Sequence, residues 1–195
     1  MENEAFSVLI AAMNKKKIIT LCGELGAGKS TTSKLLAEKL GYERLYTGGI
    51  HRKRAEELGL SLHDYHKLAE TDPQYDTYVD GRLKEFLKKG EHIVCDSYMA
   101  PWLAPDSFKV FLDIDPQVAA ERMYEDQKTN PSRKSEGYGS VEAQLEKNIE
   151  RRASNLKRYK EYYDIDNYLD KEYYDLIVDT TIEPPEAIVA TLIDA

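Results

Sequence analysis

Apolar and β-branched residues form short runs along the chain, and these runs alternate with longer stretches of helical spacing. The runs predict five strands, each mostly ended by a turn or polar residue. The alternation follows the order that builds a parallel sheet, so the pattern predicts an α/β sandwich, with helices on both faces of a five-stranded parallel sheet. The predicted strands are Lys17–Cys22, Arg44–Tyr46, Glu91–Asp96, Phe108–Ile114 and Asp175–Asp179.

Helical stretches lie between these strands, and several carry start and stop residues. The helix Lys29–Leu40 is closed by Gly41, and the helix Asp72–Lys89 begins at an Asp-Pro pair and stops at Gly90. An Asp-Pro pair at Asp115 opens another helix that reaches Asp126, and a Pro-Pro pair at 184–185 opens the last one. These residues set the predicted boundaries.

The segment from Gln127 to Gly139 is rich in Lys, Ser, Gly and Pro, which predicts a mobile loop. A long helix follows from Ser140 to about Tyr163. Its apolar residues recur at helical spacing and predict the face that this helix buries. They are Val141, Leu145, Ile149, Leu156 and Tyr163.

The chain length of 195 residues suits a single domain. Cys22 and Cys95 lie in apolar runs, which favours buried reduced thiols over a disulfide or a metal site and suits a reducing cytoplasm. Apolar stretches stay well below the roughly 20 residues that cross a bilayer. We therefore expect a cytoplasmic protein, a monomer or weak dimer, without a membrane partner.

The charge balance is acidic, with 35 acidic and 27 basic residues and a formal net charge of −8. This balance argues against non-specific electrostatic binding of nucleic acid. An anionic ligand would need a local basic pocket, and short basic clusters occur at 52–54, 151–152 and 157–158. Such clusters are also common on solvated helix faces.

The segment Gly23–Ser30 carries the P-loop pattern, with Gly28, Lys29 and Ser30 at its end, and it lies between a predicted strand and a predicted helix. In this context the backbone N–H groups and the helix N-terminus face phosphates, while the lysine reaches the β- and γ-phosphates. The pattern predicts ATP binding by Gly23, Glu24, Leu25, Gly26, Ala27, Gly28, Lys29, Ser30 and Thr31.

Two residues are predicted to hold Mg²⁺ beside the ATP phosphates. The Ser30 hydroxyl is the P-loop ligand. Asp96 ends the apolar run Ile93–Asp96, and an acid at the end of a neighbouring strand can hold the metal through water. The alternative is an aspartate that merely starts the turn after the strand.

From the P-loop to its C-terminus, the chain resembles the cytidylate kinases, especially the short archaeal type. The segment Thr47–Arg52 is similar to the element with which these kinases hold the acceptor monophosphate, which implies that Thr47, Gly48 and Arg52 bind the acceptor and that Arg52 is also catalytic. A guanidinium is a natural bidentate partner for phosphate. The alternative is an ordinary helix start with a solvated arginine.

The segment Glu150–Lys160 looks like the arginine-bearing element that follows the lid of these kinases. At about 100° per residue, Arg151 and Arg158 lie about 20° apart on one helix face, roughly opposite Ile149 and Leu156, so they can share an anion. The resemblance implies that both neutralise charge on the transferring phosphoryl group. A solvated helix face is the alternative interpretation.

The resemblance also assigns the remaining parts of a single P-loop kinase domain spanning 1–195. Residues 48–89 correspond to the acceptor-binding helical insert, with Asp76 and Asp80 near the acceptor, although acids one turn apart are often just a polar face. Residues 127–139 correspond to the lid that excludes water. Arg122 resembles the arginine on the ATP side of the site.

The chain departs from the family pattern at two positions near the acceptor. Ser97-Tyr98 replaces a Gly-Arg pair, so Tyr98 is the expected acceptor contact, although a phenol cannot make a bidentate charged contact with phosphate. Asn155 stands where bacterial members tend to carry an acid. The sequence thus favours an ATP- and Mg²⁺-dependent nucleoside monophosphate kinase acting on CMP or dCMP. The alternatives are a kinase of another small metabolite and an ATP-binding or ATPase module.

Overall fold

Five parallel strands form one sheet in the computed structural model, which describes residues 17–130 and 138–194. Their order across the sheet is β2-β3-β1-β4-β5. The predicted five-stranded parallel sheet is confirmed, and each strand boundary lies within two residues of its predicted position. In chain order the strands are β1 (Ile18–Gly23), β2 (Glu43–Tyr46), β3 (Ile93–Asp96), β4 (Phe108–Asp113) and β5 (Leu176–Asp179).

Helices connect these strands, and the segment predicted as a helical insert consists of three of them. Capping residues act as predicted: the Asp115 carboxylate accepts hydrogen bonds from the backbone N–H groups of Gln117 and Val118, and Gly41 ends its helix in the left-handed conformation. The helices are α1 (Lys29–Leu40), α2 (Thr47–Glu57), α3 (Leu62–Ala69), α4 (Gln74–Leu87), α5 (Ala100–Leu103), α6 (Pro116–Thr129), α7 (Val141–Tyr163) and α8 (Pro185–Asp194).

The sheet separates two hydrophobic clusters, because successive side chains of a strand point to opposite faces. On one face, Ile19, Leu21 and Val110 pack with residues of α1 and α8. On the other face, the two cysteines pack with aromatic residues from α7 and the segment after it. Both cysteines are buried free thiols, as predicted.

The strand register brings the ends of β1, β2 and β3 together at one edge of the sheet. Leu21 pairs with Asp96, and Tyr46 pairs with the same aspartate from the other side. Ligands of parallel α/β sheets bind outside the carboxyl ends of the strands. This edge therefore carries the candidate site.

The predicted buried face of α7 is confirmed only in part, because Leu156 and Tyr163 pack against the core but Ile149 does not. Ile149 is 60% exposed, whereas Asn155 and Arg158 are buried, the latter to 1% exposure. The polar face turns inward because Arg158 is neutralised by Asp76 of α4, to which it donates two hydrogen bonds of 2.9 Å. Helical spacing of apolar residues could not reveal this ion pair.

The predicted loop 127–139 begins too early, because Gln127 to Thr129 still belong to α6. The Gln127 side chain donates to the Tyr138 carbonyl at 3.0 Å and accepts from the Tyr138 N–H at 2.8 Å. These bonds join the end of α6 to the segment before α7. The middle of the predicted lid, residues 131–137, lies outside the described residues.

Within residues 17–130 and 138–194, no helix combines the length and the apolar character that a membrane span requires.

Candidate active site

A cleft of about 450 Å³ opens at the carboxyl edge of the sheet, between the β1–α1 loop, the helices α2 and α4, and the helices α6 and α7. It brings together most of the residues predicted from the sequence. Gly23, Glu24, Ala27 and Arg158 are not among the residues that line it. Those that do line it are Leu25, Gly26, Gly28, Lys29, Ser30, Thr31, Thr47, Gly48, Arg52, Asp76, Asp80, Asp96, Tyr98, Arg122 and Arg151.

The P-loop glycines allow a backbone that other residues could not adopt. Gly23 has φ +128°, and a Cβ there would collide with the backbone of Leu112 on β4. Gly26 has φ +79°, and a Cβ there would lie 2.8 Å from the Ala119 carbonyl oxygen. Glycine tolerates such positive φ values and close backbone approaches. The loop therefore packs against β4 and α6 and curls into the N-terminus of α1.

Lys29 lies over this loop. Its Nζ donates to the Gly23 carbonyl at 3.0 Å and also to the Glu24 carbonyl. Burial lowers the pKa of this amine, while the nearby Asp96 carboxylate opposes that change. The Nζ also lies 5.1 Å from the centre of the Tyr98 ring. This position suits a cation that meets phosphates bound by the loop.

Ser30 and Asp96, the predicted Mg²⁺ ligands, converge on one arginine. Arg44 Nη2 donates to Ser30 Oγ at 3.1 Å and lies 3.8 Å from an Asp96 carboxylate oxygen. Arg44 Nε donates to Ser33 Oγ at 2.8 Å. A cationic group thus already lies between a hydroxyl and a carboxylate, which are oxygen donors of the kind that Mg²⁺ prefers. The donor set fits a hard divalent cation.

The start of α2 is tied to the end of β3. The buried Thr47 hydroxyl donates to the Asp96 carbonyl at 3.1 Å, which fixes the helix beside the P-loop. Gly48 faces the Tyr46 ring, and a Cβ there would lie 2.6 Å from that ring. The Tyr46 hydroxyl accepts a hydrogen bond from Arg52. The small residue at 48 therefore makes room for a tyrosine that orients Arg52.

Asp76 and Asp80, one turn apart on α4, are both buried at the opposite wall of the cleft. Arg158 binds Asp76 with one guanidinium nitrogen and donates to the Asn155 side-chain oxygen at 2.6 Å with another. Asp80 accepts a hydrogen bond from the Tyr163 hydroxyl. Burial, opposed by that hydrogen bond, raises the pKa of Asp80 to about 6. The two acids therefore do not lie on a solvent-exposed helix face, which was the alternative interpretation of their spacing.

Tyr98 belongs to an aromatic cluster at the floor of the cleft. Its ring centre lies 5.0 Å from that of Tyr168 and 6.5 Å from that of Tyr159. The Asn155 amide lies within hydrogen-bond distance of the Tyr168 hydroxyl, at 3.4 Å. Tyr98 and Asn155 therefore both contact Tyr168. These are the two positions at which the chain departs from the family pattern.

Arg122 organises the far end of the cleft. Its guanidinium donates to the carbonyls of Thr180 and Thr181 at 2.8 and 3.0 Å, which anchors the loop between β5 and α8. Ile182 of this loop is 87% exposed and lines the cleft beside Pro184 and Pro185. This end of the cleft combines an exposed apolar side chain with a fixed loop.

Comparison with known proteins shows the family of this chain. Residues 19–147 match a family profile described as an AAA domain. A cytidylate kinase from Halobacterium salinarum is 36% identical over 180 residues, which cover 91% of this chain and 88% of that protein. A cytidylate kinase from Pyrococcus horikoshii is 38% identical over 176 residues, with 90% and 85% covered. The chain belongs to the cytidylate kinase family.

Solved structures with low sequence identity share the fold of this cytidylate kinase family member. A shikimate kinase from Acinetobacter baumannii, in complex with shikimate, has a TM-score of 0.56 at 18% identity and covers 95% of both chains. An uncharacterised protein from Eubacterium ventriosum has a TM-score of 0.60 at 14% identity, with 92% of this chain and 99% of that chain covered. These likenesses support the kinase-type α/β fold.

Several residues at the site of this cytidylate kinase family member could not be found from sequence motifs. Arg44 and Tyr46 lie on β2 and contact predicted site residues only through the fold. His66 lies on α3 and reaches the cleft beside His51 of α2. The sequence offered one signal for Tyr46, its place at the end of a predicted strand directly before the Thr-Gly pair. Such strand ends border ligand sites in parallel α/β sheets.

Proposed function

We propose that this protein transfers the γ-phosphoryl group of ATP to CMP or dCMP. The observation that carries the proposal is one cleft that joins the P-loop, with Lys29, to the arginines Arg52 and Arg151. The γ-phosphate of ATP and the phosphate of the acceptor must meet in one site, and both need cationic partners there. The relatives named cytidylate kinase support CMP as the acceptor.

In the proposed mechanism, residues of the segment Gly23–Thr31 bind the ATP phosphates through backbone N–H groups, and Lys29 neutralises charge on the transferring group. Arg122 and the exposed Ile182 lie where the rest of ATP can bind. Ser30 and Asp96 would hold Mg²⁺, which supplies charge neutralisation at the phosphates. The protein acts by positioning and electrostatics, and no covalent intermediate is needed.

On the acceptor side, we propose that Arg52 and Arg151 bind the monophosphate. The Thr47 hydroxyl fixes the start of α2 to the Asp96 carbonyl, and Arg52 of the same helix donates to the Tyr46 hydroxyl. Arg158 is proposed as a positioning residue, because its guanidinium is committed to Asp76 and Asn155. Asp76, Asp80 and Tyr98 would contact the nucleoside part of the acceptor. The lid at residues 127–139 stays a prediction.

The test is ADP release measured with ATP and a panel of CMP, dCMP, UMP and AMP. We expect CMP or dCMP to give the highest kcat/KM. ATP turnover that is slow and independent of every monophosphate would contradict the proposal and favour an ATPase module. The aromatic character of Tyr98 supports a second candidate function, a kinase of another small acceptor. In that case the protein would phosphorylate a non-nucleotide alcohol or acid and would not respond to CMP.

A further inference from the structure

Two histidines meet at the inner wall of the cleft, on different helices. His51 lies on α2, directly before Arg52, and His66 lies on α3. Their ring centres are 5.2 Å apart, and both rings line the cleft. The Tyr65 ring packs edge-on against both, at 5.7 and 5.8 Å. Aromatic packing, not a hydrogen bond between the two rings, holds the pair in place.

Three of the four ring nitrogens in this pair lack a hydrogen-bond partner among the described residues. They are His51 Nδ1 and both nitrogens of His66, and all three are buried. His66 as a whole is only 9% exposed. Buried polar atoms are normally hydrogen-bonded, so those that lack a partner call for one from a ligand or water. Because both residues line the cleft, a ligand bound there lies against them.

Both rings are uncharged at neutral pH. Burial, with the positive charge of Arg151 as the next cause, lowers the pKa of His51 to about 3 and the pKa of His66 well below its usual value. Arg52 and Arg158 add further positive charge around the pair. A neutral imidazole offers one N–H donor and one nitrogen acceptor. The pair is therefore a neutral hydrogen-bonding surface beside the arginines of the acceptor site.

We infer that His51 and His66 hydrogen-bond the edge of the acceptor's nucleobase, while Arg52 and Arg151 bind its phosphate. The inference rests on the proposed function. A phosphate is best bound by guanidinium groups, which the cleft supplies separately. The edge of a base presents donors and acceptors side by side, as two neutral imidazoles do. The His66 ring makes this position a determinant of which base is accepted.

The test uses three substitutions on one helix. His66→Leu removes the hydrogen-bonding nitrogens, His66→Gln keeps a donor and an acceptor, and His63→Leu alters an exposed histidine of α3 as the matched control. We expect His66→Leu to raise the KM for CMP about tenfold with little change in kcat, which is the effect of losing one to two hydrogen bonds. His66→Gln should recover part of the loss, and His63→Leu should behave as wild type.

An unchanged KM for CMP in a folded His66→Leu protein, with phosphorylation intact, would overturn the inference and leave the proposed function standing. If no monophosphate is phosphorylated even by the wild type, the proposed function itself fails. The two failures are therefore distinct.

A second measurement needs no substitution and stays decisive if His66→Leu does not fold. Nitrogen NMR of the wild-type histidines should show that CMP shifts the ring signals of His51 and His66, that the rings stay neutral, and that ribose 5-phosphate leaves them unshifted. Equal shifts with ribose 5-phosphate, or protonation of the rings on binding, would mean that the pair contacts the sugar or the phosphate. No shift with saturating CMP would mean that the pair is structural. Each of these results would overturn the inference.

Discussion

Arg44 Nη2 donates a hydrogen bond to Ser30 Oγ at 3.1 Å, so a strand residue binds the P-loop hydroxyl that we propose as a Mg²⁺ ligand. The same nitrogen lies 3.8 Å from the Asp96 carboxylate, and the side chain is mostly buried. A metal that uses Ser30 must share this oxygen with the arginine or displace it. We therefore predict that Arg44 affects the affinity of the proposed site for Mg²⁺.

Replacing Arg44 with methionine is expected to lower the Mg²⁺ concentration needed for half-maximal ATP binding by about tenfold. The reason is that one charged donor, worth about 1.5 kcal/mol, no longer competes for Ser30 Oγ. This Mg²⁺ concentration is measured by titrating Mg²⁺ in the presence of the protein and a fluorescent ATP analogue. Arg54→Met is the matched control, because Arg54 forms an exposed ion pair with Glu57 and a ring contact with Tyr78. A higher Mg²⁺ requirement in Arg44→Met would show that Arg44 supports the metal.

Lys29→Ala is expected to leave a folded protein in which phosphoryl transfer falls by orders of magnitude. The lysine Nζ donates hydrogen bonds to P-loop carbonyls, and we propose it as the cation that meets the transferring phosphate. Lys34→Ala, on the same helix but exposed, provides the control. Circular dichroism checks the fold and coupled ADP release checks the rate. Wild-type turnover in Lys29→Ala would place ATP elsewhere.

The strand pattern and the P-loop were predictable from the sequence because both depend on local order. The run that forms β1 precedes the glycines, and a helix start follows them, so neighbours along the chain define this part of the site. The same holds for Asp96 at the end of β3. These features need only periodicity and turn chemistry.

The buried ion pair between α4 and α7 was not predictable, because its two residues are far apart in sequence. Asp76 and Arg158 are 82 residues apart, and neither shows by itself that it will be buried. Apolar spacing on α7 therefore predicted only part of the buried face, with Leu156 packed against the core and Ile149 exposed. The His51–His66 contact was missed for the same reason, since an isolated histidine on a helix carries no sign of its partner.

The Arg158–Asp76 pair should behave as one unit in stability measurements. Arg158→Met leaves a buried carboxylate without its ion pair and is expected to lower the free energy of unfolding by about 3–5 kcal/mol. Adding Asp76→Asn removes the orphaned charge and should restore a large part of that loss. Urea denaturation of both single mutants and the double mutant tests this. Additive losses would show that the two residues act independently.

Asp80 should make the protein less stable as the pH rises from about 4 to about 6. Its pKa in the folded protein is about 6, above the ordinary value of 3.8, so folding favours the protonated form and that contribution is lost as the carboxyl ionises. The shift corresponds to at most about 3 kcal/mol. Asp80→Asn should lack this slope, whereas the exposed Asp166→Asn should keep it. Parallel pH profiles of wild type and Asp80→Asn would contradict the assignment.

Tyr98 stands where the family pattern has an arginine, so we predict that an arginine placed there would add a charged partner for the acceptor phosphate. Its ring contacts Tyr168 at 5.0 Å and has Lys29 Nζ 5.1 Å from its centre. Tyr98→Arg would add a third cation beside Lys29 and Arg151. Repulsion between these cations should destabilise the protein when no anion is bound, but the added cation should strengthen the binding of an anionic ligand. We therefore expect CMP to bind about five- to thirtyfold more tightly to Tyr98→Arg, as one added charged hydrogen bond of about 1–2 kcal/mol implies.

The measurement is the CMP-induced rise in melting temperature, together with the dissociation constant from calorimetry. Tyr98→Phe keeps the aromatic packing and adds no charge, so its response to CMP should stay within about twofold of wild type if the ring alone matters. A larger CMP response in Tyr98→Arg than in Tyr98→Phe would show that the acceptor phosphate lies within reach of residue 98. If Tyr98→Arg instead loses both stability and CMP binding, the ring closes the pocket around an acceptor of another shape, and the second candidate function gains support.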